Sequence, residues 1–74
     1  MTLDQLTDGQ PAIIRRISGK GAIRRRLMDM GFVKGSTITR VKAAPLGDPT
    51  DYFICGYHLS LRKSEAQLVE IDPC

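Results

Sequence analysis

The sequence predicts a mainly β fold, a small and strongly bent five-stranded barrel with one inserted α-helix and short helical turns. Three observations carry that expectation. Short β-branched runs recur at close spacing and are bounded by Gly and Pro. One segment alone switches convincingly to helical spacing, with Ile23, Leu27 and Met30 one and two turns apart. Finally, 74 residues supply a single domain, residues 1–74, with no repeat or linker. At that size folding buries only roughly 60% of the surface of the unfolded chain. A barrel that hides its edges and buries one face of every strand is an economical source of core.

Each element follows in order. Leu3 and Leu6 stand one helical turn apart, and Thr7-Asp8-Gly9-Gln10 turns the chain. Pro11 to Ile17 is short and β-branched, a first strand with Pro11 at its beginning. Ser18-Gly19-Lys20-Gly21 breaks it, and the helix follows. Gly31 fits a left-handed position after the helix, with Phe32 as the apolar residue that accompanies such a cap. On the helix, Arg25 and Asp29 lie opposite the buried stripe at ion-pairing spacing, and Met28 also points away from it. Thr37 to Lys42 is a half-buried strand, followed by the loop Ala44-Pro45-Leu46-Gly47-Asp48-Pro49. Asp51–Cys55 and Tyr57–Leu61, separated by Gly56, form a tight hairpin or a bulge, and alternation turns Cys55 toward the core. Lys63–Ala66 supplies one helical turn and Gln67–Ile71 a last strand.

The formal charge of +3 is unevenly spread. Between Gly9 and Gly47 stand Arg15, Arg16, Lys20, Arg24, Arg25, Arg26, Lys34, Arg40 and Lys42 against the single acid Asp29, whereas both ends are acidic. Such a field attracts an acidic protein surface, a nucleic acid or anionic headgroups; its plainer role is to keep the protein soluble. No stretch approaches the ~20 apolar residues of a membrane span, and the start lacks the layout of a signal peptide. A cytoplasmic chain that does not span the membrane, its two cysteines kept as thiols, is therefore expected.

Catalytic machinery is sparse. His58 is the sole histidine, so no Ser-His-Asp set or hydrolytic metal cluster assembles with a spare, and Gly19-Lys20-Gly21 is too short for a phosphate-binding loop. The chain is not expected to be an enzyme. Cys55, His58 and the tail residue Cys74 offer soft ligands that could bind Fe2+ or Zn2+ transiently, making a metal carrier or sensor the alternative function. Structural zinc, however, wants four ligands. A third reading is a small basic nucleic-acid-binding domain; Phe32 is the only aromatic residue in the basic middle, so a stacking platform is lacking and no nucleic acid is expected.

Three segments, Arg26 to Ser36, Ala44 to Pro49 and Leu61 to Ala66, resemble in order and spacing the FeoA proteins of bacterial ferrous iron uptake. The resemblance covers essentially the whole chain. It implies an SH3-like β-barrel with an added helix and no required cofactor, working in the cytoplasm with the inner-membrane transporter FeoB and its cytosolic GTPase domain. Recruitment to the inner face of the membrane would follow. A related barrel ends DtxR-type repressors, but this chain has no DNA-binding helix pair in front of it. The match on the helix falls on Arg26, Leu27, Met30 and Gly31, whose ordinary roles are packing and capping.

Partner contact is expected at two places. Strands can be joined by two residues, so the loop is longer than connection requires, and its prolines stiffen Pro45, Leu46, Gly47 and Asp48 for docking. The second place is the helix face of Arg24, Arg25 and Met28. An unpaired sheet edge would also allow a homodimer.

Overall fold

A computed structural model describes all 74 residues. After a 3-10 turn at Leu3–Gln5 come β1 (Pro11–Ile17), α1 (Gly21–Asp29), β2 (Thr37–Ala43), β3 (Thr50–Ile54), β4 (Tyr57–Leu61), α2 (Lys63–Ala66) and β5 (Val69–Pro73). The strands form one antiparallel sheet in the order β4-β3-β2-β1-β5. β1 shares only three residue pairs with β2, Pro11↔Thr39 to Ile13↔Thr37, but runs along β5 from Ala12↔Pro73 to Ile17↔Val69. A strand shared in this way bends the sheet around its core.

Two register shifts help the bend. One lies at Arg15 in β1 and the other at Val41 in β2. In β1 the extra residue inverts the alternation: Ala12 and Ile14 are buried, Arg15 and Arg16 both face out, and Ile17 packs against the core. Strand alternation without a bulge would have pointed one of these arginines inward. The last strand begins at Val69 instead of Gln67 because the amides of Gln67 and Leu68 still bond back to Lys63 and Glu65 of α2.

Closure is incomplete, against the expectation that a barrel would hide both edges. β4 and β5 end the sheet and do not pair with each other. The N-terminus covers part of β5 instead, through a Thr2↔Glu70 bridge and the Ile71 amide donating to the Met1 carbonyl at 2.9 Å. That placement sinks Leu3 and Leu6 into the core, joined by Ala12, Ile14, Leu27, Ile38, Ile54, Leu61, Val69 and Ile71. Tyr52 is buried among them, and burial pushes its phenol above its ordinary value, with Arg40 opposing the shift. Every buried side-chain N or O atom has a hydrogen-bond partner.

α1 ends as expected from Gly31. The Gly31 amide donates to the Met28 carbonyl at 3.0 Å and the Phe32 amide to that of Leu27 at 3.1 Å, closing the left-handed glycine cap, and Gly31 has φ +98°. Phe32 lies fully inside the core. The cap is braced by the β3–β4 hairpin, whose two turn residues, Cys55 and Gly56, both have positive φ. Tyr57 Oη donates to the Met30 carbonyl, and Cys55 Sγ approaches the Gly31 carbonyl at 3.9 Å. A Cβ on Gly31 would come within 2.7 Å of Cys55 Sγ. Gly31→Ala therefore combines left-handed strain with a clash, and should lower stability by about 2 kcal/mol in chemical denaturation. Adding Cys55→Ala should recover the clash portion, since the Cys55 Cβ at 3.7 Å makes only ordinary contact; no recovery would show that the cost lies in the backbone alone.

Candidate docking interface

The Ala44–Pro49 loop is built as a rigid projection. Its tip is a β-turn with Pro45 in the position that favours a preset φ, closed by the Gly47 amide donating to the Ala44 carbonyl at 2.7 Å. Its base is closed by the Ala44 amide on the Pro49 carbonyl at 2.9 Å, and the Asp48–Pro49 peptide is cis. Asp48 Oδ1 accepts from the Lys63 amide at 2.9 Å, so it caps the start of α2 and ties the loop to the barrel. Leu46, 97% exposed, is left at the tip.

Arg24, Arg25 and Met28 are exposed on α1. The ion pairs of the fold do not include Arg25 with Asp29; an acid placed C-terminal to its base is the weaker helical arrangement, and both side chains stay in water. Arg26 points elsewhere and pairs with Glu65, whose other oxygen accepts from the Arg62 amide at 3.0 Å. It thereby joins α1 to α2. Pro49 at the base of the loop shares a recess with Arg26 and Met30, whereas Arg24 and Met28 line a different cleft.

That cleft lies between β1 and α1 and has a volume of about 240 Å³. Its apolar lining is Ile17, Met28, Phe32 and Val33, and its rim carries Arg15, Arg16, Arg24 and Lys34. Met28 is 40% and Val33 45% exposed, so apolar surface remains open there. Charge on the rim is partly balanced. Arg15 lies 3.4 Å from Asp72, an exposed pair of little energetic weight, and Arg16 Nε donates to Glu70 Oε2 at 2.5 Å. Arg24, Arg25 and Lys34 take part in no ion pair. Sequence reasoning placed Arg24 and Met28 on a surface but missed Arg15, Arg16, Lys34, Ile17 and Val33 as their neighbours. Two consecutive arginines in a strand are a hint of a bulge, yet only the register reveals it.

The Cys55, His58 and Cys74 grouping is not assembled, and no cluster of three or more His, Cys, Asp or Glu side chains is placed to hold a metal ion. Cys55 is exposed in the hairpin turn against Gly31, because a two-residue turn removes it from the strand alternation. His58 packs edge-on to Phe53 with a centroid separation of 4.9 Å, and its Nδ1 is 3.7 Å from Asp51 Oδ2. Cys74 follows β5 at the opposite end of the sheet, its amide bonded to the Pro11 carbonyl.

The FeoA domain model matches residues 1–73. The chain belongs to the FeoA family. It is 46% identical over 72 residues to a Porphyromonas gingivalis protein named as a Fe(2+) transport protein A/Fe(2+) transporter FeoB fusion protein, covering 97% of this chain but only 8% of that relative. The solution structure of iron(II) transport protein A from Clostridium thermocellum superposes with a TM-score of 0.93 at 42% identity, over 99% of this chain and 45% of that one. Stenotrophomonas maltophilia FeoA, a prokaryotic SH3 domain protein crystallised with zinc, matches with a TM-score of 0.87 at 34% identity, over 97% of this chain and 89% of its own. A manganese-dependent transcriptional repressor shares the fold alone, with a TM-score of 0.89 at 18% identity over 36% of its length. No helix is long and apolar enough to cross a membrane.

Glu70 gives this face a pH signature. Its carboxyl is held below the ordinary carboxylate range, first by the hydrogen bond from Arg16 and then by that from Ser18 Oγ at 2.8 Å. A lowered folded-state value stabilises the fold above the unfolded-state value, and that contribution disappears as pH falls through the folded one. The stability gap between the parent chain and Glu70→Gln should therefore narrow as pH drops from neutrality to below about 4. Denaturant midpoints across pH would show it, and a constant gap would disprove the pairing.

Proposed function

We propose that this chain is a cytoplasmic accessory protein of ferrous iron transport that acts by binding a FeoB-type inner-membrane transporter at its cytosolic GTPase domain, and not by catalysis. The fusion relative carries this reading. A segment matching 97% of this chain lies within a protein whose name joins Fe(2+) transport protein A to FeoB. Tethering raises effective concentration to the ~mM range, so even a weak association between separate chains would be kept productive by fusion. The description of the Stenotrophomonas maltophilia protein, which raises a role as a ferrous iron transport activating factor, points the same way.

Two surface features support the reading. The loop offers Leu46 on a tip whose conformation is closed by its own hydrogen bonds, so little entropy is lost when a partner covers it. The face of Arg24, Arg25 and Met28 offers uncompensated positive charge beside apolar surface. Titration against the cytosolic domain of a FeoB-type transporter, in each nucleotide state, should give a Kd of about 10 μM in at least one state. Because the two surfaces do not share a recess, Leu46→Glu and Arg25→Glu report separately, and at least one should weaken binding about tenfold. Absence of binding up to ~1 mM in both states would refute the reading.

A further inference from the structure

The cleft between β1 and α1 does not end at its apolar lining. It is adjoined by a hollow bounded by Arg15, Arg16, Lys34 and Glu70 and by another bounded by Gly21, Arg24, Arg25, Met28 and Asp29. The three share walls, Arg15, Arg16 and Lys34 at one junction and Arg24 and Met28 at the other. The three recesses thus lie side by side as a track, the apolar socket in the middle and cations lining both ends.

We infer that this track binds an extended acidic peptide segment, with one aliphatic side chain seated in the socket and carboxylates on both flanks. This deepens the docking reading above and rests on it for the identity of the partner. The socket, at about 240 Å³, is smaller than the ~300 Å³ at which small-molecule pockets begin and has room for one aliphatic side chain. Charge complementarity sets the flanks. Arg24, Arg25 and Lys34 have no internal ion partner, while Glu70 is engaged by Arg16 and Ser18. Of the two acids that line these recesses only Asp29 is without an ion pair, and it shares its hollow with Arg24 and Arg25.

Shape argues against the other polyanions. A bilayer is flat and takes up protruding apolar residues, whereas here the apolar surface lines a concavity between cations. Single-stranded nucleic acid needs aromatic faces to stack on, and the aromatic residue of the cleft, Phe32, has no exposed surface. The bulge at Arg15 is what places two adjacent guanidinium groups on this side of β1.

The test is an NMR titration of the full isotope-labelled chain with a synthetic Asp-Glu-Asp-Leu-Asp-Glu-Asp peptide at ~0.15 M salt. Saturable shifts should be confined to residues 15–18 and 24–34. Replacing the peptide's Leu by Ser should weaken binding about tenfold, and so should Arg24→Glu combined with Lys34→Glu. Arg24→Gln with Lys34→Gln gives a smaller loss in the same direction and serves if the charge reversal perturbs the fold. Shifts elsewhere, equal affinity for the Ser peptide, or tighter binding of phosphatidylserine vesicles or oligothymidylate through the same residues would each overturn the inference. The transporter domain separates the two readings. If it binds the Arg24→Glu/Lys34→Glu chain as well as the parent, the track is not the docking site though docking stands. If the peptide binds while the parent chain ignores the domain, the track stands and the transporter reading falls.

Discussion

The close approach of the α1 C-terminus to the β3–β4 hairpin is the contact on which the arrangement of this molecule turns. Gly31 adopts a left-handed conformation that ends the helix, and its missing side chain leaves room for Cys55. The hairpin then supplies a donor to a carbonyl that the helix end leaves open, Tyr57 to Met30, and sets Cys55 Sγ against the Gly31 carbonyl. With the helix held there, Leu27 and Phe32 enter the core and α1 lies beside β1. The cleft exists because of that placement.

A second constraint sorts the basic residues into two groups. Arg26 is held by Glu65, and Arg40 by the Leu6 carbonyl at 2.7 Å and Asp8 at 3.0 Å, so both serve the packing of the chain on itself. Arg24, Arg25 and Lys34 stay unpaired on the β1–α1 side. A charged residue left uncompensated beside open apolar surface is suited to a partner that brings both opposite charge and a hydrophobic anchor. In a domain of 74 residues, where most buried volume is core, unpaired charge and open apolar surface are left to such outer faces and projecting loops.

The same fold in a manganese-dependent repressor at 18% identity shows how little architecture says about activity. What distinguishes this chain is surface. Asp48 illustrates the difference between the two levels: it sits in a projecting loop, yet its carboxylate is engaged on the Lys63 amide, so rigidity of the tip and capping of α2 have one origin. Leu46 beside it touches nothing comparable and is 97% exposed.

The succession of elements was legible along the chain, because strand alternation, the single helical stripe and the glycine cap are local signals that tertiary contacts reinforced. β1 and β4 coincide with the runs Pro11–Ile17 and Tyr57–Leu61. The sequence also named the family and, in Arg24 and Met28, two of the eight residues that line the cleft. Where β1 bulges, and hence that Arg15 and Arg16 both face outward, came from folding, since register depends on strands distant in sequence. Folding likewise decided that Cys55, His58 and Cys74 lie apart: ligand spacing along a chain says nothing about a turn that aims one residue at a helix cap while another ends the far strand. Side-chain chemistry was legible residue by residue, but which residues meet across the sheet was a property of the fold.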